Sequence, residues 1–365
     1  MIPIAKPSID NREIMEVVST MEKGLLAQGE LVFDFEKKFA NHFGHCHAAA
    51  VSNGTVALHV ALKSAGVQPG DIVLTTPFSF IATSNAILYC DATPYYVDID
   101  ENTYNISPIS LKEAIKQCPE AKYLLLVHLF GQSCAMDEII SIAEKNGIKV
   151  IEDCAQAHGA SFDGQPVGSF GVCGTFSFYP TKNMTTGEGG MLTSSDESFI
   201  QHCKKLINHG SVIRYVHEIT GYNYRLTNLA AAIGLVQLQK INEMNAKRKD
   251  NANFYYKNIN NPVIQLPKLD PRSDHVFHQF TLKTEFRDEL VDYLTRKNIG
   301  TGIYYPIPIH RQQNIIEYLS SKKVKIAECP VTDQSSKKVL AIPVHPSITE
   351  SELQYISTVI NEFLP

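Results

Sequence analysis

The sequence predicts an α/β fold, a mostly parallel sheet covered by helices on both faces, with a smaller second unit after it. Three observations predict it. Up to residue 194, short apolar runs of strand character alternate with stretches of helical spacing, which is how parallel strands joined by crossover helices read. A long helical stretch from 228 to about 258 then leads into Asn260-Asn-Pro-Val-Ile-Gln-Leu-Pro-Lys-Leu-Asp-Pro271, a proline-rich passage. The length of 365 residues also exceeds one typical domain. The expected units are residues 1–259 and residues 260–365.

Taken in order, apolar residues recur at helical spacing over 11–21, 31–43, 56–65, 111–117 and 136–146, each of which is an expected helix. Strand-like runs fall at 48–52, 72–75, 93–98, 123–129, 149–152, 174–178 and 191–194. The run Tyr123-Leu-Leu-Leu-Val-His-Leu-Phe130 is too short to cross a bilayer and reads as a buried strand. In the second unit a strand at 276–282, a helix at 286–297 and a terminal helix at 350–363 are expected.

Composition narrows the classes of function. A net charge of −5, with Lys37-Lys38, Lys204-Lys205 and Lys322-Lys323 scattered, shows no basic stripe, so nucleic acid is not an expected partner. The amino terminus has no charged head followed by an apolar stretch, so no signal peptide is read there, and no membrane segment is expected. The eight cysteines are dispersed without a Cys-x-x-Cys, a pattern of free thiols in a reducing cytoplasm. His45-Cys-His47 has no second ligand pair at finger-like spacing, so no metal is expected.

Chemistry concentrates in Gly174-Thr-Phe-Ser-Phe-Tyr-Pro-Thr-Lys-Asn-Met-Thr-Thr-Gly-Glu-Gly-Gly190. An apolar strand ends at Pro180, and Lys182 follows in a glycine-rich turn. A lysine where a strand runs into a tight loop is poorly solvated, which disfavours its ammonium form and suits it to Schiff-base chemistry with a carbonyl. The plainer reading is a surface lysine in a loop. Upstream, Asp153 closes the strand of Val150-Ile-Glu-Asp153, at the edge where open α/β sheets bind ligands. A carboxylate there can stabilise a protonated pyridine nitrogen, or it can simply cap a helix or hold a metal. In Val51-Ser-Asn-Gly-Thr-Val-Ala-Leu58, Gly54 and Thr55 open a helix whose free N–H groups suit a phosphate, although small polar residues also cap ordinary helices. A phosphate seat, a carboxylate for a ring nitrogen and a Schiff-base lysine are the three handles of pyridoxal 5′-phosphate (PLP).

On these residues the chain resembles the DegT/DnrJ/EryC1/StrS sugar aminotransferases. The resemblance is carried by Glu152-Asp-Cys-Ala-Gln156 with His158-Gly-Ala160, by Phe176-Ser-Phe178 with Lys182-Asn183, and by Gly187-Glu-Gly-Gly190. It continues in Gly221-Tyr-Asn-Tyr-Arg-Leu-Thr227 with Ala230-Ala-Ala-Ile-Gly-Leu235, and in Tyr304-Tyr-Pro-Ile-Pro-Ile-His310. Cys154 replaces the family's usual alanine, a conservative departure. The resemblance implies a type I aminotransferase fold, with a seven-stranded large domain and a small α/β domain.

The resemblance also implies roles. Lys182 would carry PLP and act as base, and Asp153 would face the ring nitrogen. Phe80 would stack on the ring, although composition alone reads it as a core phenylalanine. Gln156 would lie beside the phenolic oxygen, and Ser177 would bind phosphate with Gly54 and Thr55. Asn223, otherwise an ordinary turn residue, would reach the phosphate in the other subunit, which makes a homodimer with shared sites the expected assembly. Glu188 would lie near the lysine. Tyr305 and His310, with Tyr179 nearby, would line the acceptor pocket, or Tyr305 and Pro306 would only shape a domain junction.

The implied reaction moves an amino group from L-glutamate to a keto sugar carried on a nucleoside diphosphate. The Gly221–Thr227 motif resembles the 4-amino branch, whereas the 3-amino branch tends to show Asn-Ser-Arg-Leu-Asp there. The expected acceptor is therefore C4 of a 4-keto-6-deoxy sugar, with C3 amination as the alternative. A related dehydratase would carry histidine in place of Lys182. A catalytically silent regulatory protein on the same scaffold is the rival of a different class.

Overall fold

The computed structural model describes residues 1–365. It opens with α1 (Asn11–Glu22) and α2 (Glu30–Phe43). Then follow β1 (His47–Val51), α3 (Gly54–Ala65), β2 (Ile72–Thr75), α4 (Ala82–Leu88), β3 (Thr93–Tyr96) and α5 (Pro108–Gln117). Next come β4 (Tyr123–Val127), α6 (Met136–Lys145), β5 (Lys149–Asp153) and a short ribbon of β6 (Ser161–Phe162) and β7 (Gln165–Pro166). β8 (Cys173–Ser177), β9 (Gly190–Ser194) and α7 (Glu197–Ile207) lead to the hairpin β10 (Ser211–Ile213) and β11 (Val216–His217), and then to α8 (Asn228–Asn258). The remainder holds β12 (Ser273–Asp274), β13 (Phe280–Lys283), α9 (Arg287–Arg296), α10 (Gln313–Ser321), α11 (Pro330–Lys338), β14 (Val339–Ile342) and α12 (Glu350–Asn361).

The main sheet has seven strands in the order β1-β9-β8-β5-β4-β2-β3. Only β9 runs against its neighbours, pairing antiparallel with β1 and β8. Alternate residues supply opposite faces. Ala49, Val51, Leu125 and Ile151 pack towards α3 and α7, whereas Leu124, Leu126 and Val150 pack with residues of α5 and α6. Ala48, Ala50 and Phe176 meet α2 and α8. In α2 the buried residues Val32, Phe35, Glu36, Phe39, Ala40 and Phe43 keep one stripe of a 3.6-residue helix. A Cβ at Gly234 of α8 would stand 2.7 Å from the Phe35 ring, so glycine is what lets α8 sit this close to α2.

α8 links two cores. Leu238 and Ile241 belong to the sheet-side core, while Ala252 and Tyr255 join Phe280, Leu340, Ile356 and Ile360 in the C-terminal core around β13 and β14. The amino terminus returns to that second core, where Ile2 bridges Ile299. α1 is oriented unusually. Its buried residues are Glu13 and Thr20, and Glu13 forms an ion pair with Lys240 of α8. Its apolar residues Ile14, Met15, Val18 and Met21 are exposed.

Two expectations change in detail. The strand expected at 276–282 begins only at Phe280, because Phe277 has φ 44° and Val276 and Gln279 donate to the carbonyls of Gly131 and Phe130 instead. α4 and α7 are further helices of the sheet region, beyond those that the spacing predicts.

Candidate active site

The carboxyl ends of the parallel strands share one edge, and the structure brings Gly54 to Ser177, Asp153 to Lys182 and Gln156 to Tyr305 there, but not His310. After β1, Asn53 caps α3 by accepting the Val56 N–H at 2.9 Å. The N–H groups of Gly54 and Thr55 are left without a partner in the chain, as expected at a helix start. Ser177 ends β8 beside them: a Cβ on Gly54 would come within 2.6 Å of the Ser177 Cβ and 2.9 Å of its Oγ. Any side chain at 54 would push this serine away. Two free amides and a hydroxyl at the positive end of a twelve-residue helix make a donor set that fits a phosphate.

Lys182 lies one turn beyond β8, half-buried, and its turn is held on several sides. The Lys182 N–H donates to the Tyr179 carbonyl at 2.9 Å, and the Thr185 hydroxyl donates to the Phe178 carbonyl at 2.8 Å. Asn183 donates to Asn245 of α8 at 2.8 Å and to the Val276 carbonyl at 3.0 Å. The lysine is thereby positioned before any ligand arrives. Burial lowers its pKa from 10.5 to about 8, with the Asp153 charge opposing.

Asp153 closes β5, the strand paired with β8. It is buried and accepts the Ala155 N–H at 3.0 Å. Burial raises its pKa, opposed by that hydrogen bond, by the charge of Lys182 and by the Thr83 hydroxyl. A desolvated carboxylate without a bonded cation fits a protonated pyridine nitrogen, and the donor set thus suits PLP at both ends. Its neighbour Glu152 is bonded quite differently. Oε1 accepts the N–H groups of Phe170 and Gly171 at 2.8 Å, and Oε2 accepts that of Gly168 at 2.7 Å. His128 completes the set: its Nδ1 accepts from the Cys134 N–H, so Nε2 carries the proton facing Glu152 at 3.0 Å. His128, Glu152 and Cys154 stand close enough to hold a metal, but the carboxylate is already saturated by donors.

Gln156 is buried, with Oε1 accepting the Phe130 N–H and Nε2 donating to the Tyr305 hydroxyl, both at 2.7 Å. Phe80, beyond β2, is 61% exposed, and Tyr179 is also exposed. Glu188 is exposed in the turn where the Thr186 hydroxyl donates to its carbonyl. Asn223 is exposed beside Tyr224, whose carbonyl accepts the Ser52 N–H. His310 is fully buried, 6.0 Å from the Tyr96 ring and 3.3 Å from an Asp333 carboxylate oxygen. It is thus enclosed beside α11, whereas Tyr305 touches the Gln156 amide.

Two contributors escape sequence reasoning. Phe130 acts through its backbone, which no side-chain pattern reveals. His158 is fully buried against Phe176 and Phe178. Burial, with the Lys182 charge, lowers its pKa to about 3, so it is neutral. Its place in the Glu152–Ala160 motif was the available signal.

Known proteins are similar to the chain over most of its length. A UDP-N-acetyl-3-dehydro-alpha-D-glucosamine 3-aminotransferase of Acidithiobacillus ferrooxidans is 38% identical over 90% of this chain and 87% of its own. GDP-perosamine synthase of Escherichia coli O157:H7 is 36% identical over 99% and 98%. The crystal structure of S. venezuelae DesV, in complex with a ketimine intermediate, has a TM-score of 0.91 at 31% identity and covers 96% of this chain and 94% of that one. The family model described as the DegT/DnrJ/EryC1/StrS aminotransferase family matches residues 7–361. That match takes in every strand of the sheet and nearly all of both cores, and the chain belongs to the DegT/DnrJ/EryC1/StrS family and is an aminotransferase.

Proposed function

We propose that the chain uses PLP to move an amino group from L-glutamate to C4 of a 4-keto-6-deoxy sugar carried on a nucleoside diphosphate. The observation that carries the PLP reading is the pairing of Lys182 and Asp153 across β8 and β5, with the free amides of Gly54 and Thr55 beside Ser177. Gly54, Thr55 and Ser177 would hold the phosphate, Asp153 the ring nitrogen and Lys182 the aldehyde carbon. Bound there, PLP supplies an electron sink for a carbanion at the carbon that bears the amine. Lys182 Nζ takes the α-proton from the donor and later returns a proton to the sugar carbon, and a pKa of about 8 lets it do both near neutrality. Asp153 keeps a proton on the ring nitrogen, Phe80 would stack on the ring, and Tyr179 would stand near the acceptor pocket.

The C4 assignment rests on the likeness of Gly221–Thr227 to the 4-amino branch. C3 amination is the second reading, favoured by the name of the 38% identical relative. A panel of nucleotide-linked 3-keto and 4-keto sugars with glutamate, read by product mass and regiochemistry, separates the two. Exclusive amination of the 3-keto sugars ends the C4 reading. Free keto sugars should be poor substrates, because binding energy from the nucleotide is missing at the reacting carbon.

A homodimer with Asn223 reaching the partner's site belongs to the same proposal. The apolar outward face of α1 supports it, since a stripe of this kind on a soluble protein marks an interface. The division into 1–259 and 260–365 is also proposed, with Ile2 and the end of α8 lending side chains to the second core. No helix is long and apolar enough to cross a membrane, and a cytoplasmic enzyme is our reading.

A further inference from the structure

Gln156 can be oriented in only one way. Its amide oxygen takes the Phe130 N–H at 2.7 Å, so the nitrogen must face Tyr305, whose oxygen then accepts at 2.7 Å. The consequence is a matter of proton count. The Tyr305 hydroxyl keeps its own proton, and Gln156 Nε2 keeps one of its two. These two donors are 2.7 Å apart and meet no acceptor in the chain. Tyr305 is also held firmly. Its ring lies 6.5 Å from that of Phe130, near parallel at 15°, and edge-on to Phe78 at 5.8 Å. Phe130 and Tyr305 both have φ 57°, a left-handed conformation that non-glycine residues keep only where their surroundings impose it. Both ends of the Phe130–Gln156–Tyr305 chain of hydrogen bonds are therefore fixed by strained backbone. Burial raises the pKa of the tyrosine, so it stays a donor, and Asp153 and Tyr304 are the titratable groups that bear on it.

We propose that Tyr305 acts with Gln156 as a second hydrogen-bond donor to the phenolic oxygen of the cofactor ring, rather than as a wall of the sugar pocket. The inference rests on the PLP reading above. On that ring a single carbon separates the nitrogen from the carbon bearing the oxygen. A group one turn beyond Asp153 is therefore suited to meet the oxygen when Asp153 meets the nitrogen. Two donors stabilise negative charge on that oxygen and weaken its hold on the proton it shares with the lysine linkage. The chromophore of the lysine-linked cofactor then loses its proton at lower pH. The other charged groups bearing on this centre are Lys182, acting on Asp153, His158 and His278, and Arg248, acting on both histidines.

The test is a spectrophotometric pH titration of the purified holoenzyme without substrate. Tyr305→Phe removes the hydroxyl and keeps the stacked ring, and the chromophore pKa should rise by about one to two units, the effect of losing one hydrogen bond to a charged oxygen. Replacing Tyr305 by 3-fluorotyrosine keeps the shape and makes the hydroxyl a stronger donor, so the pKa should fall below that of the wild type. If Tyr305→Phe retains no cofactor, the fluorotyrosine protein alone decides. A chromophore pKa that stays put on fluorination or on loss of the hydroxyl overturns the assignment. A wild-type protein with no borohydride-reducible chromophore overturns the PLP reading instead, so the two failures are distinguishable.

Discussion

Glu152 and Asp153 are consecutive carboxylates in β5 with opposite hydrogen bonding. Glu152 takes three backbone amides and the His128 ring, whereas Asp153 takes the Ala155 amide and has no cation bonded to it. Strand alternation puts the first among the helices and loop behind the sheet and leaves the second at the ligand edge. One should be needed for stability, the other for reaction.

Glu152→Gln turns one accepting oxygen into an NH2 group aimed at two donors. It should cost about 2–6 kcal/mol of stability, since each stranded buried donor costs about 1–3 kcal/mol. Denaturant unfolding reads this, and turnover of the folded fraction should change little.

Asp153→Asn should do the reverse. Turnover should fall about 10²–10³-fold, the size of a lost electrostatic contribution at a reacting centre. Burial raises the folded pKa of Asp153, so its charged form is disfavoured in the fold at neutral pH. The apoenzyme should therefore unfold no more easily with asparagine there, and near-normal turnover would remove Asp153 from the mechanism.

Lys182→Ala should fold and still bind PLP, yet give no borohydride-reducible attachment. In the wild type, the rate at which PLP reattaches to apoenzyme should climb with pH and level off above about 8, the pKa that burial imposes. An inflection near 10.5, the ordinary lysine value, would show a solvated amine. Between about 8 and 10.5 the unfolded chain holds a proton that the folded chain has lost, so this lysine makes stability rise with pH there.

Met15→Glu, at a side chain 70% exposed, should leave the monomer fold intact and weaken the dimer. Sedimentation at falling protein concentration should show dissociation at concentrations where the wild type stays paired. Activity should fall with it, because Asn223 would no longer reach a partner's site, and an active monomer would rule out shared sites.

Much of this was legible in the sequence. All seven main strands and most of the helices of the sheet region follow from spacing, because strand and helix periodicities differ and this sheet is buried on both faces. The candidate site was easiest to propose where its residues lie close together in the chain, as in Glu152–Gln156 and Phe176–Lys182. It was least legible where distant segments meet. Gln156 and Tyr305 are 149 positions apart, and their contact depends on how the C-terminal unit seats against β5. His310 shares a motif with Tyr305 but turns away to Asp333, since a short 3-10 turn at Ile309–Arg311 carries it inside. The strand expected at 276–282 was shortened by contacts with the Phe130–Gly131 turn, which no local pattern contains.

The spacing of α1 is that of an ordinary amphipathic helix, but it faces the opposite way from what burial rules suggest, with Glu13 inside and Ile14, Met15, Val18 and Met21 outside. In a mutational scan of every position, this helix should therefore invert the usual map. Glu13, a charged residue, should tolerate as little change as a core leucine. The four outward residues should accept one another's apolar side chains and reject the polar ones that any free surface welcomes. In the proposed dimer, drift would thereby be confined along a stretch that exposure alone marks as open to change.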